Sequence, residues 1–442
     1  MSATVRIADR ELLVGRRARK WLVRALRRRC WAVIVTVLLL GTGMAYSLFW
    51  APVIRHEPMW ITPFDLWGTY RAAHYIGWGY LGGIYSSGTG LVTFPGVLLL
   101  LAPVAMLTGA LGLTEAFPRL VLHPTAWPLL GPAEMLVGSV ALFASDALAE
   151  RLGVSRTRRF VLCLAEGAVL WNVLVLWGHP EDALAVGLAT YALVMALDGR
   201  WTGAGWLFGA AMATQPLVAL ILPVLLAMGG RRQITGLLLR TFLPVVALMV
   251  TPLVAQFHAT VNAILDQPNY PRIDHATPWT VLAPTLGGSG KDLAVAAGPG
   301  RVLAVLLACA LGVWARRWRD RPDLLVWAAA LALALRCFTE SVMVAFYVWP
   351  VLAVGLVAAA RAGRWRLVAA SGLAVFTTVL SNWRLGEFPW WSSVTVCLLL
   401  VLAAGMTCWV SRPPAEVSMI GYGAVKIPRM EARSGQLTGA TR

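Results

Sequence analysis

Asp65 lies twelve residues past Val53, where the first long apolar run ends, in the segment Pro63-Phe64-Asp65-Leu66-Trp67-Gly68-Thr69-Tyr70-Arg71-Ala72-Ala73-His74. The chain carries only 21 acids against 38 Lys and Arg, so a carboxylate at this position is informative. Two kinds of chemistry are open to it. Asp is favoured ahead of a helix, where its side chain accepts a backbone N–H and stabilises by about 1 kcal/mol. A carboxylate within reach of a hydroxyl can instead act as a general base, worth about 10²- to 10⁴-fold in rate. Arg71 and His74, at i and i+3, share one helix face, which suits either lipid-phosphate anchoring or binding of a ligand phosphate.

Further candidates follow along the chain. Glu181 and Asp182 come directly after His179-Pro180, at the start of an apolar helix. Acids there complement the helix dipole, and carboxylates beside a histidine could also hold a divalent cation through oxygen ligands. Gln215 precedes Pro216 in a glycine-rich stretch with Gly203, Gly205 and Gly209. The segment Asp266 to Trp279 is polar, aromatic and proline-rich, which predicts an ordered loop able to cover a site. In it Arg272 and His275 could meet an anion, while Asp274 could pair with Arg272. Arg336, Glu340 and Tyr347 interrupt apolar helices. An intramembrane charge costs roughly 3 kcal/mol and faces a partner or a cavity, so Arg336 either pairs with Glu340 at i, i+4 or contacts a phosphate.

The elements that position these residues are membrane helices. Of 442 residues, 58% are hydrophobic and 13% charged, and the mean hydropathy is +0.69, which excludes a soluble globular domain. Apolar runs near 31–53, 91–112, 130–149, 160–177, 182–197, 203–213, 216–229, 236–256, 302–315, 323–338, 342–360, 366–382 and 392–411 predict an all-α polytopic bundle of about 11 to 13 membrane segments. The net charge of +17 is distributed in short patches between these runs, which points to anionic lipid headgroups and away from nucleic acid. A basic tail, 1–29, with Arg16, Arg17, Arg19, Lys20, Arg24, Arg27, Arg28 and Arg29, predicts a cytoplasmic N-terminus, and the first span reads as a retained anchor. The clusters at 156–159, 200, 231–232, 316–321 and 361–366 then also face the cytoplasm. The outside face collects 54–90, 178–182 and 258–300, together with the turns at Thr339-Glu340 and Asn382 to Trp391.

Two stretches strain this alternation. Parity wants an odd number of crossings between the first outside loop and Arg156, yet two apolar runs lie there, so one of them is expected to be a partial pass. The stretch 203–229 reads as a hairpin of two short helices with Gln215 at its tip, or as one kinked helix. The stretch Leu66 to Tyr80 is expected to lie in the interface with its aromatic residues toward lipid. The transmembrane domain spans 30–411, and 412–442 is expected to be a disordered cytoplasmic tail. All six cysteines sit in or beside apolar runs, so no disulfide or metal framework is indicated.

Taken in order, four segments resemble glycosyltransferase superfamily C, and within it family 87, the polyprenyl-phosphate-mannose-dependent mannosyltransferases of actinobacterial envelopes. They are Phe64-Asp65-Leu66 with Tyr70, Ala72, Ala73 and Ile84-Tyr85; Thr93-Phe94-Pro95 running to Leu101-Ala102-Pro103; the turn Gly178-His179-Pro180-Glu181-Asp182; and the hairpin Ala204 to Pro216. The likeness spans roughly 30–360, and its motifs are short. It implies an inverting transfer of a sugar, mannose first and arabinofuranose as a variant, from a polyprenyl-phosphate donor to a cell-envelope glycolipid or polysaccharide. It also implies a site on the outer face of the plasma membrane and no nucleotide cofactor. Asp65 matches the family's catalytic base, and Arg71, His74, His179, Glu181, Asp182, Gln215, Arg272, His275 and Arg336 become candidates for holding the donor phosphate or substrate. The chain departs from the family where Gly-Gln-x-Asn is usual, having Gly178-His179-Pro180-Glu181, and where Lys usually precedes Pro, having Gln215. Arg71, Arg272 or Arg336 could supply the missing cation. Two other classes compete: a transporter of lipids or sugar lipids, and a non-catalytic membrane scaffold that keeps the fold.

Overall fold

The computed structural model describes residues 26–55, 63, 65–86, 89–113, 125–265, 267–286 and 293–407. The basic residues before Leu26, Phe64, Asp266, Cys408 and the C-terminal tail 412–442 lie outside the described residues. Within them the architecture is helical. Nine helices are long and apolar enough to cross a membrane: Cys30–Ile54, Trp127–Arg151, Arg156–Trp177, Pro180–Leu197, Arg231–Ala255, Pro299–Trp318, Pro322–Thr339, Ala345–Ala362 and Glu387–Gly405. The chain is therefore a multi-pass α-helical membrane protein. Two shorter apolar helices, Pro95–Ala110 and Pro216–Met228, and the helices Trp201–Thr214 and Arg364–Ser381 account for the other apolar runs. Two strand pairs of two residues each, His275–Ala276 with Val342–Met343 and Thr285–Leu286 with Ala294–Val295, do not change the class.

Burial ranks the helices by position. Ala345–Ala362 is the central pillar, with 89% of its apolar window buried, whereas Arg231–Ala255 is peripheral at 22% and turns most of its surface to lipid.

Both strained stretches resolve. The helix Trp201–Thr214 ends at Gln215, whose extended backbone leads into the turn Pro216–Ile221 and the helix Leu222–Met228. The Trp201 ring packs beside Gly229, so the two ends meet and the stretch is a hairpin with Gln215 at its tip. Small residues permit the packing. A Cβ on Gly209 would lie 2.5 Å from the Arg240 carbonyl oxygen, so glycine lets this helix close on Arg231–Ala255.

Pro95–Ala110 is the partial pass. Gly96 at its start lies against Thr214 beside the hairpin tip, while Thr108 near its end meets Tyr70 and Gly109 meets His74. Both ends thus stay at one end of the bundle, as a partial pass would. Its partner is the helix Leu66–Gly77, whose Tyr70 and His74 are buried toward Pro95–Ala110, while Trp67 and Tyr75 are half-buried and Trp78 and Tyr80 beyond its end are exposed.

The opposite end is arginine-rich. Asp146, fully buried, accepts two hydrogen bonds from Arg159 at 2.6 and 2.8 Å and one from Arg29 at 3.0 Å. Glu150 joins Arg28 at 2.8 Å and Arg29 at 2.6 Å. A buried carboxylate is tolerable only when paired in this way, and the pairing staples three helices together. The free cysteines Cys30, Cys163, Cys309, Cys337 and Cys397 form no disulfide among the described residues.

Candidate functional site

At the other end, Asp65 precedes the helix Leu66–Gly77 but does not cap it: its backbone is helical and its side chain makes no capping hydrogen bond. The carboxylate turns instead to His179, whose Nε2 lies 3.3 Å from Asp65 Oδ2. His179 Nδ1 lies 2.7 Å from Glu181 Oε1, so one imidazole bridges two carboxylates. The Asp65 side chain is 41% exposed, His179 13% and Glu181 1%, so the string runs from the surface inward.

Local backbone chemistry creates this bridge. The helix Arg156–Trp171 opens into a π-helical turn, Asn172–Trp177, and ends at Gly178, which is left-handed at φ 71°. A Cβ on Gly178 would lie 2.6 Å from Pro63 Cβ and 2.9 Å from Leu66 Cβ. Glycine therefore satisfies both the positive φ and the close approach that bring the turn to Asp65. Asn382 fastens the turn, accepting from Trp177 Nε1 at 3.2 Å and donating to Asn172 Oδ1 at 2.9 Å. The His179 ring stacks on Phe346 at 3.8 Å, which sets its plane. Burial alone would lower the His179 pKa, but the Glu181 carboxylate and the hydrogen bond to Asp65 outweigh it and hold the imidazole well above its usual 6.5. The two carboxylates thus favour the protonated imidazole.

A cavity of about 260 Å³ opens beside this bridge, lined by His179, Gln215, Arg301, Arg336 and Tyr347 among apolar walls that include Phe94, Leu217, Leu220, Ile264, Val305 and Phe346. Gln215 Nε2 donates to Asp182 Oδ1 at 2.7 Å, which joins the hairpin tip to the turn. Arg336 Nε donates to Glu340 at 2.9 Å, and its guanidinium lies 3.8 Å from the Tyr347 ring centroid. The i, i+4 pair and the cavity contact expected of Arg336 as alternatives occur together.

Arg301 is the cation that sequence reasoning missed. Its Nε donates to both oxygens of Glu340 at 3.0 and 3.1 Å, while its Nη2 is buried without a hydrogen-bond partner among the described residues. Gly300 makes this possible, because a Cβ there would fall 1.7 Å from the Thr339 carbonyl oxygen and force the two helices apart. A glycine-flanked arginine opening an apolar helix, in Gly298-Pro299-Gly300-Arg301, was the available signal.

Several candidates lie elsewhere. His74 is 3% exposed and packs edge-on against Tyr70 at 4.9 Å, so it cannot share a ligand-facing surface with Arg71, and burial lowers its pKa. Arg71 covers the Trp67 ring at 4.6 Å and does not line the cavity. Arg272 is exposed and forms no ion pair with Asp274 among the described residues. His275 is structural: it stacks on Trp390 at 3.7 Å, donates Nε2–H to the Ser381 carbonyl at 3.1 Å, and is pushed down to about 4 by burial. Asp274 is raised to about 6 by burial and by the nearby charge of Asp65, partly opposed by Arg384. Asp274 thus lies near Asp65, whose like charge repels it, and the cation it meets is Arg384 and not Arg272. Among the described residues no three His, Cys, Asp or Glu side chains converge as metal ligands, and both His179 nitrogens face carboxylates. The cation site considered for His179, Glu181 and Asp182 has no ligand set there.

A second cavity, about 660 Å³, is almost wholly apolar and runs between Leu99, Leu100, Leu184, Leu188, Trp206 and Leu243. It adjoins the hairpin tip at Gly96 and Thr214, and the exposure of Leu99, Leu100, Trp206 and Leu243 opens it to the outside of the bundle. No protein-family model matches the chain, and none of the curated proteins is detectably similar to it in sequence.

Proposed function

We propose that this protein is an inverting glycosyltransferase of the superfamily C type, similar to family 87, that moves a sugar, mannose first, from a polyprenyl phosphate to an envelope glycolipid or polysaccharide. One observation carries the reading: an exposed carboxylate, Asp65, is tied through His179 to a cavity that holds two arginines and opens among apolar helices. Asp65 Oδ2 is engaged by His179, so Oδ1 remains for the acceptor hydroxyl. In the transfer, the acceptor oxygen bonds to the anomeric carbon as the bond from that carbon to the phosphate oxygen breaks. The hydroxyl proton passes to Asp65, and the polyprenyl phosphate leaves with the bonding electrons.

Arg301 and Arg336 supply the cations that the usual lysine before Pro216 would otherwise provide. The unpartnered Nη2 of Arg301 suits a phosphate oxygen, and fixed donors of this kind stabilise a leaving anion. Gln215 stands at the same wall and orients through Asp182. The apolar cavities suit an isoprenoid chain. The arginine-rich end matches a cytoplasmic face, which supports an outer-face location for Asp65.

The test uses purified protein in lipid nanodiscs with radiolabelled polyprenyl-phosphate mannose and total envelope glycolipids. Wild type is expected to form a new labelled glycolipid, and Asp65→Asn to form none while retaining its thermal midpoint. Full activity in Asp65→Asn would remove Asp65 as the base. Movement of labelled lipid across the bilayer without a new glycosidic bond would replace this reading with a transporter.

A further inference from the structure

We infer that His179 and Glu181 form a positioning pair that orients the Asp65 carboxylate, with Glu181 as the buried counter-charge of the imidazolium. The inference rests on the glycosyltransferase reading and assigns within it a role that differs from phosphate binding. Three independent features place the imidazole for this task. Both of its nitrogens are taken by carboxylates, at 3.3 Å to Asp65 and 2.7 Å to Glu181, so neither is directed at a ligand. Its plane is set by Phe346, and its backbone by the left-handed Gly178 packed on Pro63 and Leu66.

The nearest charges are carboxylates, and the cations Arg301 and Arg336 share the cavity wall with His179 and oppose them. Asp65 faces His179 from the start of its helix, Glu181 and Asp182 from its own helix, and Glu134 from the helix Trp127–Gly138. The other Glu181 oxygen, Oε2, has no hydrogen-bond partner among the described residues, so the contact of Oε1 with His179 is the principal one. A histidine carrying both protons can donate to Asp65 and Glu181 at once. Losing one proton leaves a lone pair facing one carboxylate, and the Asp65 carboxylate is no longer held with Oδ1 toward the acceptor. Activity therefore depends on His179 staying protonated, which the Glu181 charge secures.

The experiment measures transfer rates against pH for wild type, His179→Gln, His179→Phe and Glu181→Gln in nanodiscs, with the imidazole resonances of ¹⁵N-histidine-labelled protein followed in parallel. Wild type is expected to lose activity on the alkaline side as His179 gives up its proton. Glu181→Gln should bring that alkaline limb, and the His179 resonance, to lower pH. His179→Gln should remove the limb and reduce kcat on the order of ten- to hundredfold with KM for the donor unchanged. His179→Phe should be less active than His179→Gln, because the amide keeps one donor for Asp65.

A rise in donor KM with kcat unchanged in His179→Gln would make His179 a phosphate ligand and overturn the inference. So would an alkaline limb that stays in place in Glu181→Gln, or a His179 resonance that reports a neutral ring at pH 7. In each of these cases an inactive Asp65→Asn leaves the glycosyltransferase reading standing. Absence of transfer by wild type overturns that reading and the positioning role together.

Discussion

Gly178→Ala tests the geometry at its tightest point. The substitution places a methyl group at a residue with φ 71°, where an L side chain costs about 1–2 kcal/mol. It also sets that methyl 2.6 Å from Pro63 Cβ and 2.9 Å from Leu66 Cβ. Carbon atoms rest at about 3.5–4.0 Å, so the turn and the Asp65 helix must separate by about 1 Å. The His179 to Asp65 hydrogen bond is already 3.3 Å, and that displacement takes it beyond hydrogen-bond range. A charge-assisted bond contributes about 1.5–3 kcal/mol, and with Asp65 41% exposed, solvent screening argues for the lower end. The expected result is about a tenfold loss of kcat, together with a modest fall in thermal midpoint. Transfer assays corrected for folded protein separate the two effects. Adding Pro63→Gly removes the closer of the two contacts and should recover part of the rate, while Gly178→Asn should recover stability without the rate, because its Cβ meets the same neighbours. A Gly178→Ala protein with wild-type kcat per folded molecule would refute the claim that this contact sets Asp65.

Other expectations follow from the same geometry. Arg301→Met should raise the donor KM more than Arg336→Met, because Arg301 offers the unpartnered Nη2 whereas Arg336 is held by Glu340 and Tyr347; equal effects in a donor titration would count against this. Asp274 has a native pKa near 6 against an ordinary 3.8, so its contribution to stability is greatest below 3.8 and is lost as pH rises through 6. Asp274→Asn should therefore raise the thermal midpoint at pH 7.5 and leave it unchanged at pH 3.5, as read by tryptophan fluorescence. Arg159→Met leaves the fully buried Asp146 without its bidentate partner and should cost about 3–5 kcal/mol, whereas Arg29→Met, which leaves that partner in place, should cost less in the same melts.

Hydropathy made most of the fold legible, because apolar length is a direct consequence of bilayer thickness. The break at Gln215-Pro216 was legible too, but whether it made a hairpin or a kinked helix was not: Gly203, Gly205 and Gly209 continue the helix Trp201–Thr214, and only the contact of Trp201 with Gly229 decides it. Residues 91–149 were harder: a run of the right composition does not say whether it crosses, and only its contacts with Tyr70, His74 and Thr214 decide that Pro95–Ala110 stays at one end. Asp65 and His179 are separated by 114 residues, so no local pattern joins them, and each alone had a sufficient local explanation. Arg301 escaped notice because its acceptor, Glu340, lies 39 residues away and Arg336 already accounted for that acid. Arg272, His275 and His74 drew attention through residue type, yet stacking on Trp390 and packing against Tyr70 are tertiary facts that residue type does not encode.

The π-helical turn Asn172–Trp177 has a consequence for how such a chain can change length. A π turn accommodates one residue more than the α-helical turn it replaces, and an α-helix advances about 100° per residue. Deleting a single residue between Arg159 and Gly178 would restore a regular helix and preserve the apolar composition of the span. Because the π turn holds the extra residue, that deletion would leave His179 close to its present angle about the helix axis, while a second deletion, with no π turn left to absorb it, would swing it about 100°, away from Asp65. One residue of length can therefore be lost from this span without moving His179, and a second cannot.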